Sequence, residues 1–391
     1  MYKISIIILA ISGLCLQACK ENDPVKASTF KFIKPAYNGI QIKLAPDTLN
    51  ILLNENTFNA VKSVNIFSEN GREYLAFFDL RSESLNVYTL MPLQLVKKIQ
   101  IQNWFQRSLY KTTVFVKNFD SIFITNQNRL YLCNSVGNVK KSIYFLGKPE
   151  SCFAFFDNNN PPILIKNILF AGVRPYVKEK SLNALKEWKV LYLFDLHNKK
   201  AGLRYPLPKQ YQQHLYGYHF LNYSYCYNNH NRFVFSFPAD TNIYETNLAE
   251  FHNAYLAKSQ YQHAPIEPVT KEELATSDKQ VESFITRDSY GPIYFDPARN
   301  RYLRVARSKI SLADYKAKKY NRGQRLLVFD ENFKIVGESE IDNHISLNTL
   351  FITKEGAIYA QTNSNDEYAL HFVRLVYSDD PINSPNQLVQ K

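Results

Sequence analysis

Short runs of alternating hydrophobic and polar residues, separated by tight polar turns, follow one another along most of the chain. The clearest set lies between about residues 61 and 102, where four such runs are joined by turns such as Glu69-Asn70-Gly71. Alternation with a period of two predicts half-buried β-strands, and four strands with tight connections form the meander of a propeller blade. This segment therefore predicts one four-stranded blade.

The pattern recurs loosely in five further units, which start near residues 113, 152, 218, 279 and 347. The last unit contains three good strands, and the N-terminal run Gly39-Ile-Gln-Ile-Lys-Leu44 is free to supply the fourth. Closing the ring in this way removes exposed sheet edges. We therefore predict an all-β fold, a single β-propeller of six four-stranded blades over residues 39–377. Seven blades are one alternative, because the N-terminal region could form more than one strand, and a two-domain β-sandwich protein is another.

Three stretches interrupt the meander with helical signals. They are residues 181–189, the capping-box sequence Thr270-Lys-Glu-Glu273, and residues 311–319. Insertions of this kind decorate one face of a repeat fold, often the functional one. Residues 282–286 are predicted to form a strand of the fifth unit. Residues 378–391, rich in Asp, Pro and Asn, are predicted to form a frayed tail.

The N-terminus carries a targeting segment. Lys3 precedes an apolar stretch that is shorter than the roughly 20 residues needed to span a bilayer. Leu16-Gln17-Ala18-Cys19 then resembles the lipobox of bacterial lipoproteins, in which Leu16 and small Ala18 suit the signal peptidase and the Cys19 thiol accepts lipid. We predict that residues 1–18 are a signal peptide, that Cys19 is lipidated, and that residues 19–38 form the lipidated cysteine and its tether. An ordinary secretory signal with a chance cysteine is the alternative.

The residues after the cysteine bear on the cellular location of the protein. Lys20-Glu21-Asn22-Asp23 is similar to the tag of a lysine followed by acidic residues that sends Bacteroidota-type lipoproteins to the outside of the cell. A solvated linker would have the same composition. We expect an outer-membrane lipoprotein, held to the membrane by its lipid, either on the cell surface or on the periplasmic face.

Composition refines this picture. The chain contains 27 Tyr and 27 Phe among 391 residues, and both residue types favour strands. The net charge of +12 favours anionic partners such as envelope glycans rather than nucleic acid, although dispersed positive charge also serves solubility. A local basic cluster lies at Lys316-Ala317-Lys318-Lys319. Cys133, Cys152 and Cys226 lie in strand-like aromatic runs, which favours buried free thiols.

The blade pattern and one longer run together carry a family resemblance. The run is Tyr290-Gly-Pro-Ile-Tyr-Phe-Asp296-Pro-Ala-Arg-Asn-Arg-Tyr302-Leu-Arg304. It resembles an uncharacterised family, a domain of unknown function, of Bacteroidota-type lipoproteins that are expected to be six-bladed propellers. A second aromatic residue is expected after Tyr302, where this chain has Leu303. The resemblance implies the fold and the cellular location, and it does not indicate a catalysed reaction.

The same run is predicted to be a hairpin. Asp296 and Pro297 start a turn, and Arg304 returns on the neighbouring strand within reach of the aspartate. One interpretation is a structural ion pair between Asp296 and Arg304. The other is a binding site at which Tyr290, Asp296, Tyr302 and Arg304 line a rim that grips a polar ligand.

Motifs with a known chemistry are missing from the sequence. The histidines concentrated between His197 and His263 match no zinc spacing, and no GxSxG, P-loop or GxGxxG pattern occurs. We therefore predict no catalytic residue, no metal and no cofactor. The first candidate function is a non-catalytic binding or scaffolding propeller for a glycan, a peptide or an envelope protein. The alternative is a propeller enzyme, a hydrolase or lyase acting on glycans, which charged residues converging on the channel would favour.

Overall fold

The computed structural model describes residues 28–59, 61–101, 112–126, 128–145, 152–175, 181–364 and 366–380. Within them, six antiparallel sheets follow the chain in order around a ring. Two N-terminal strands, β1 (Thr29–Lys31) and β2 (Ile42–Leu52), join sheets that form much later in the sequence. The six-bladed propeller is therefore confirmed, and the alternatives of seven blades and of a β-sandwich are wrong.

Each blade is a meander whose first strand lines the axis of the ring. Blade 1 comprises β3 (Val61–Glu69), β4 (Arg72–Asp79), β5 (Ser84–Thr89) and β6 (Gln94–Gln100). Blade 2 comprises β7 (Thr113–Asn118), β8 (Ser121–Asn126), β9 (Arg129–Cys133) and β10 (Val139–Tyr144). Blade 3 comprises β11 (Cys152–Phe155), β12 (Ile163–Ile165), β13 (Ile168–Pro175), β14 (Lys189–Asp195) and β15 (Lys200–Pro206).

The second half of the ring repeats this order. Blade 4 comprises β16 (Ser224–Tyr227), β17 (Phe233–Ser236), β18 (Asn242–Thr246) and β19 (His252–Leu256). Blade 5 comprises β20 (Ser289–Asp296), β21 (Arg301–Arg307), β22 (Gln324–Phe329) and β23 (Ile335–Ile341). Blade 6 comprises β24 (Ile345–Ile352), β25 (Ile358–Thr362) and β26 (Ala369–Tyr377), with β2 as its outer strand.

The ring is closed by the N-terminal strand, as the sequence predicted. Strand β2 pairs antiparallel with β26, from Ile42 opposite Tyr377 to Leu52 opposite Ala369. It begins three residues later than Gly39 and runs further. Packing completes the closure, because Ile51 and Phe372 of blade 6 share a buried cluster with Phe77 of blade 1. The hydrophobic core thus lies between neighbouring blades around the whole ring.

The residues before β2 pack on the ring and do not form a free tether up to residue 38. Strand β1 adds to the outer edge of blade 4 by parallel pairing with β19. The chain then crosses the outer strand of blade 5, where Ala36 N–H donates to the Ile335 carbonyl (2.8 Å) and Ile40 N–H to the Val336 carbonyl (2.8 Å). We call residues 29–41 the N-terminal strap. It differs from the prediction because its hydrogen bonds are made to strands more than two hundred residues away.

The helices all lie on one face of the ring. They are α1 (Leu182–Glu187), α2 (Lys209–Gln213), a 3-10 helix (Tyr218–Leu221), α3 (Ser277–Ile285) and α4 (Leu312–Lys316). Each sits in a connection between blades or between the second and third strands of a blade, and in a meander these connections leave from the same side. We call this side the helical face. The opposite side, with the turns between first and second strands, is the hairpin face.

Three local predictions need correction. Residues 282–286 form the end of α3 rather than a strand, because Thr276 caps this helix by accepting a hydrogen bond from Lys279 N–H. The capping-box bonds between Thr270 and Glu273 do form, but they close a turn that ends before α3 begins.

The predicted tail begins with ordered residues, since Asp379 pairs with Arg301 and Asp380 with Arg299. Residues 381–391 lie outside the described part of the chain.

Candidate functional site

The residues predicted from the hairpin of blade 5 are buried, and they do not meet at an open rim. Arg304 is fully buried in β21, where its guanidinium donates to Ser236 Oγ (2.9 Å) and to the carbonyls of Ala257 (3.0 Å) and Asp240 (2.6 Å). The guanidinium also stacks on the ring of Tyr290, 3.8 Å from its centroid. Arg304 therefore pins blade 5 to blade 4 from within the core.

The expected ion pair between Asp296 and Arg304 is wrong. Asp296 lies opposite Arg301 in the pairing of β20 with β21, whereas Arg304 lies opposite Ile293 at the other end of the hairpin. The carboxylate of Asp296 instead bonds Arg299 Nη1 (3.0 Å) within its own turn. Strand register, which the sequence did not reveal, separates the two predicted partners by three residues along β21.

The two predicted tyrosines serve the core in the same way. The hydroxyl of Tyr302 accepts a hydrogen bond from Asn228 Nδ2 (2.9 Å), and its ring stacks on Phe333. The hydroxyl of Tyr290 accepts the Ser259 N–H (3.0 Å). Because both side chains are buried and bonded inside the protein, neither offers a surface to a polar ligand. The interpretation of these four residues as a binding rim is not supported by their positions.

A different feature occupies the centre of the ring. The first strand of blade 3 is split into β11 and β12, which pair with the two halves of the same strand, β13. The intervening residues 156–162 carry the sequence Phe156-Asp-Asn-Asn-Asn-Pro-Pro162 and leave the sheet. Prolines interrupt strand hydrogen bonding, and Asx residues favour turns. These residues therefore bulge into the channel, and we call them the channel loop.

The channel loop is bonded to the inner strands of four other blades, which are blades 1, 2, 4 and 5. Asn158 pairs with the backbone of Val64 in blade 1, accepting its N–H (3.0 Å) and donating to its carbonyl (2.7 Å). The carbonyl of Asn159 accepts the Tyr225 N–H of blade 4 (3.1 Å). The hydroxyl of Tyr294 in blade 5 lies 2.9 Å from Asn159 Oδ1. The loop thereby forms a polar plug across the axis.

Beside this plug lies a cavity of about 450 Å³. All six blades contribute to its wall, and hairpin residues at its border place its opening toward the hairpin face. The wall is largely apolar and aromatic, with Ile66, Phe115, Pro161, Pro162, Ile163, Tyr227, Phe295, Leu350, Phe351 and Ile352 among its residues. A volume of this size fits the lower range of small-molecule binding sites.

Asp157 is the charged residue among the described residues that line this cavity. Its Oδ1 accepts three hydrogen bonds, from the N–H groups of Asn159 (2.9 Å) and Asn160 (2.8 Å) and from Asn160 Nδ2 (3.3 Å). Its Oδ2 accepts none from the described residues. Burial raises the pKa of this carboxyl, against the opposing effects of the Arg174 guanidinium and the hydrogen bonds to Oδ1. One carboxylate oxygen is thus available to a ligand.

The amides near Asp157 are mostly engaged. The side-chain amide of Asn158 is hydrogen-bonded to the backbone of Val64. In the same way, the side-chain amide of Asn65 bonds the backbone N–H and carbonyl of Val116 in blade 2. Asn228 accepts the N–H groups of His230 and Arg232 in a turn. These side chains hold the channel together, which leaves Asp157 Oδ2 as the candidate acceptor for a polar atom of a ligand in the cavity.

This site was missed in the sequence, although a signal was present. Three consecutive asparagines preceded by Asp157 and followed by two prolines interrupt a run that otherwise alternates as a strand. A polar insertion within the first strand of a blade points toward the channel, because that strand lines the axis. The signal shows where the strand breaks, but it does not show which blades the loop contacts.

The predicted lipid attachment site lies outside the described residues. Leu16, Ala18 and Cys19 all precede residue 28, where the described chain begins. Across the ranges that the structure describes, no helix is long and apolar enough to cross a bilayer. In the same ranges, no three or more His, Cys, Asp or Glu side chains cluster as metal ligands would. Cys133, Cys152 and Cys226 are buried free thiols, as predicted.

Comparisons with known proteins support the fold and identify the family. The family model described as a domain of unknown function, DUF4221, matches residues 40–340. The crystal structure of a DUF4221 member from Bacteroides vulgatus superposes with a TM-score of 0.73 and 21% identity, covering 88% of this chain and 99% of that one. Virginiamycin B lyase from Staphylococcus aureus has a TM-score of 0.41 and 11% identity, covering 86% of this chain and 99% of that one. Similarity this low implies nothing about the chemistry of the present chain. No curated protein matches the chain in sequence. The match over residues 40–340 means that this chain belongs to the DUF4221 family.

Proposed function

We propose that this chain is a membrane-anchored extracytoplasmic lipoprotein that acts as a non-catalytic binding propeller, with its ligand held in the central cavity. The observation that carries the proposal is the combination of a largely apolar wall, contributed by all six blades, with one carboxylate oxygen of Asp157 that has no partner among the described residues. Concave, mostly apolar sites with few polar groups are typical of ligand binding.

The chemistry of the wall favours some ligands over others. A sugar ring carries several hydroxyl groups, and each hydroxyl buried without a partner costs about 1–3 kcal/mol. The cavity offers an acceptor at Asp157 and mainly apolar surface elsewhere. An apolar segment with one hydrogen-bond donor, such as the side chain of a peptide or of an envelope protein, therefore fits better than a free glycan.

The anchor is supported by the sequence alone. Leu16-Gln17-Ala18-Cys19 supplies the lipobox, and the charged residues that follow supply a linker. Acyl chains contribute about 0.8 kcal/mol per buried CH₂, so more than one chain is needed for stable anchoring. We place the protein in the outer membrane, on the cell surface or on the periplasmic face.

Site-specific photo-crosslinking in cells tests the binding function. A benzoylphenylalanine at Tyr227, which lines the cavity and is partly exposed, should capture a discrete partner identifiable by mass spectrometry. Capture should fall when Asp157→Asn is added, because the acceptor oxygen Oδ2 is replaced by a donor. The matched control places the same group at exposed Tyr320 on the helical face.

The outcomes separate the possibilities. Capture at position 227 that depends on Asp157 supports a ligand in the cavity. Equal capture from positions 227 and 320, or capture that Asp157→Asn leaves unchanged, contradicts the cavity as the site. Fatty-acid labelling of the wild type, lost in Cys19→Ala, tests the anchor separately.

A glycan hydrolase or lyase is the second candidate. The observation in its favour is the raised pKa of Asp157, since raised carboxyl pKa values occur at general acids. Incubation with isolated envelope glycans should then release products, and Asp157→Asn should abolish the release. Glycosidases generally use two carboxyl groups, and Asp157 is the one charged residue among the described residues of the wall. The binding function is therefore favoured.

A further inference from the structure

The strap leaves two large aromatic side chains uncovered at the outer edge of blade 4. Phe30 is 54% exposed and Phe32 is 65% exposed. Lys31, which lies between them in the sequence, and Lys34, two residues after Phe32, are exposed as well. Placing large aromatic rings in water is unfavourable, so an exposed pair at the end of a short edge strand indicates a contact surface.

The direction of the strands shows where the chain before this edge leaves the ring. Strand β19 runs toward the helical face, because its end leads into the connection that contains α3. Strand β1 pairs parallel to it, with Thr29 opposite Asn253 and Lys31 opposite Tyr255. Residue 28 therefore departs toward the hairpin face. The central cavity opens on that same face.

Chain length then limits the distance from the lipid. Thr29 lies ten positions after Cys19 in the sequence, and a fully extended chain spans about 3.3–3.6 Å per residue. The edge of blade 4 can therefore lie no more than roughly 35 Å from an acylated Cys19. With Cys19 acylated, as proposed, the aromatic pair is within reach of the bilayer surface, where aromatic rings and lysines are the side chains that favour the interface.

We propose that Phe30 and Phe32, with Lys31 and Lys34, form a second membrane contact that binds the surface of an anionic bilayer. This proposal rests on the proposed lipidation of Cys19. The lipid supplies the attachment, and the aromatic pair orients the ring. In this orientation the hairpin face, and with it the opening of the cavity, lies on the side from which the tether departs.

Vesicle binding by protein without lipid tests the contact. The mature chain from residue 19, carrying Cys19→Ala and Phe30→Trp, is mixed with vesicles of phosphatidylethanolamine and phosphatidylglycerol at three to one. The tryptophan emission should shift to the blue as the ring enters the interface. Tyr144→Trp in blade 2, where the native side chain is 56% exposed, is the matched control and should not shift.

A second variant measures the strength of the contact. Phe30→Ser/Phe32→Ser in the same unlipidated chain should bind the vesicles roughly tenfold less tightly, as the loss of buried aromatic area requires. Unchanged circular dichroism and thermal midpoint would show that the variant still folds. Equal binding of this variant and its parent would overturn the proposal, as would equal shifts at positions 30 and 144.

Two further outcomes are distinguishable. A blue shift at position 30 that appears without vesicles and grows with protein concentration would assign the edge to contact between two copies of the chain, and so would overturn the membrane proposal. Absence of fatty-acid labelling on wild-type Cys19 would contradict the anchor without affecting the vesicle result. Failure of the anchor and failure of the aromatic contact therefore give different readouts.

Discussion

At the scale of single residues, two charged groups inside the ring differ in how completely they are hydrogen-bonded. Arg304 donates to a hydroxyl and to backbone carbonyls, and it stacks on Tyr290. Loss of hydration lowers the pKa of Arg304 to about 10, which still leaves it charged at neutral pH. Asp157 has one bonded oxygen and one that has no partner among the described residues. A charged group whose hydrogen-bonding atoms all have partners within the protein stabilises the fold. A carboxylate in a cavity with one oxygen lacking a partner can instead accept a hydrogen bond from a ligand.

Asp157→Asn should therefore stabilise the protein at high pH. Because burial raises the pKa of Asp157, the ionised form is disfavoured in the folded state, and this cost grows as the pH rises through the raised pKa. Below the ordinary pKa of about 3.9 the group is protonated in both states, and the cost vanishes. Asparagine keeps an oxygen for the loop N–H groups and carries no charge.

Urea unfolding of both proteins at pH 4 and pH 8 measures this difference. The free energy of unfolding of Asp157→Asn should exceed that of the wild type at pH 8, and the gap should shrink at pH 4. A gap that is constant with pH, or that widens at pH 4, would contradict the assignment of the cost to the ionised carboxylate. Asp120→Asn, at an exposed carboxylate in blade 2, controls for a general effect of net charge.

At the scale of elements, the strap and the channel loop are irregular segments held by hydrogen bonds to regular strands. The strap approaches β23 so closely that a side chain at Gly337 would collide with it. An added Cβ there would lie 1.7 Å from the Ile40 carbonyl oxygen. The Glu338 N–H donates to the Tyr37 carbonyl in the same contact. Glycine at this position is required by the close approach of two backbones.

Gly337→Ala should detach the strap while leaving the blades intact. The clash with a backbone atom cannot be relieved by a side-chain rotation, so we expect a loss of about 1–3 kcal/mol in the free energy of unfolding. Limited proteolysis should then cut the chain near residues 32–41. Gly323→Ala is the matched control, because an added Cβ there meets nothing closer than 3.6 Å, and it should change stability by less than about 0.5 kcal/mol.

At the scale of the whole molecule, the ring is closed by pairing the two ends of the described chain. Strand β2 covers the edge of β26, and buried Ile42 and Ile51 pack into the cores on both sides of blade 6. Strand β1, in contrast, adds three exposed residues to a blade that already has four strands. The two N-terminal strands should therefore differ greatly in their contribution to the fold.

Two truncations test this difference. A chain that begins at residue 32 lacks β1 and should remain a folded monomer, with a thermal midpoint close to that of the parent. A chain that begins at residue 53 also lacks β2, leaves the edge of β26 unpaired and should aggregate, because open strand edges pair with other chains. Size-exclusion chromatography distinguishes these states. A monomeric, stable chain from residue 53 would show that β2 is dispensable for closure.

The sequence by itself determined the pattern of short strands and turns, and it favoured six blades closed by an N-terminal strand, because alternation and turns are local properties that neighbouring residues carry. Only the tertiary structure decided which partners the buried polar groups take. Asn158 bonds a residue 94 positions away, and Arg304 bonds one 68 positions away. Such pairings depend on strand register and on the packing of blades around the axis. For that reason the sequence predicted a surface rim at residues that lie in the core, while the loop at the centre of the channel went unnoticed.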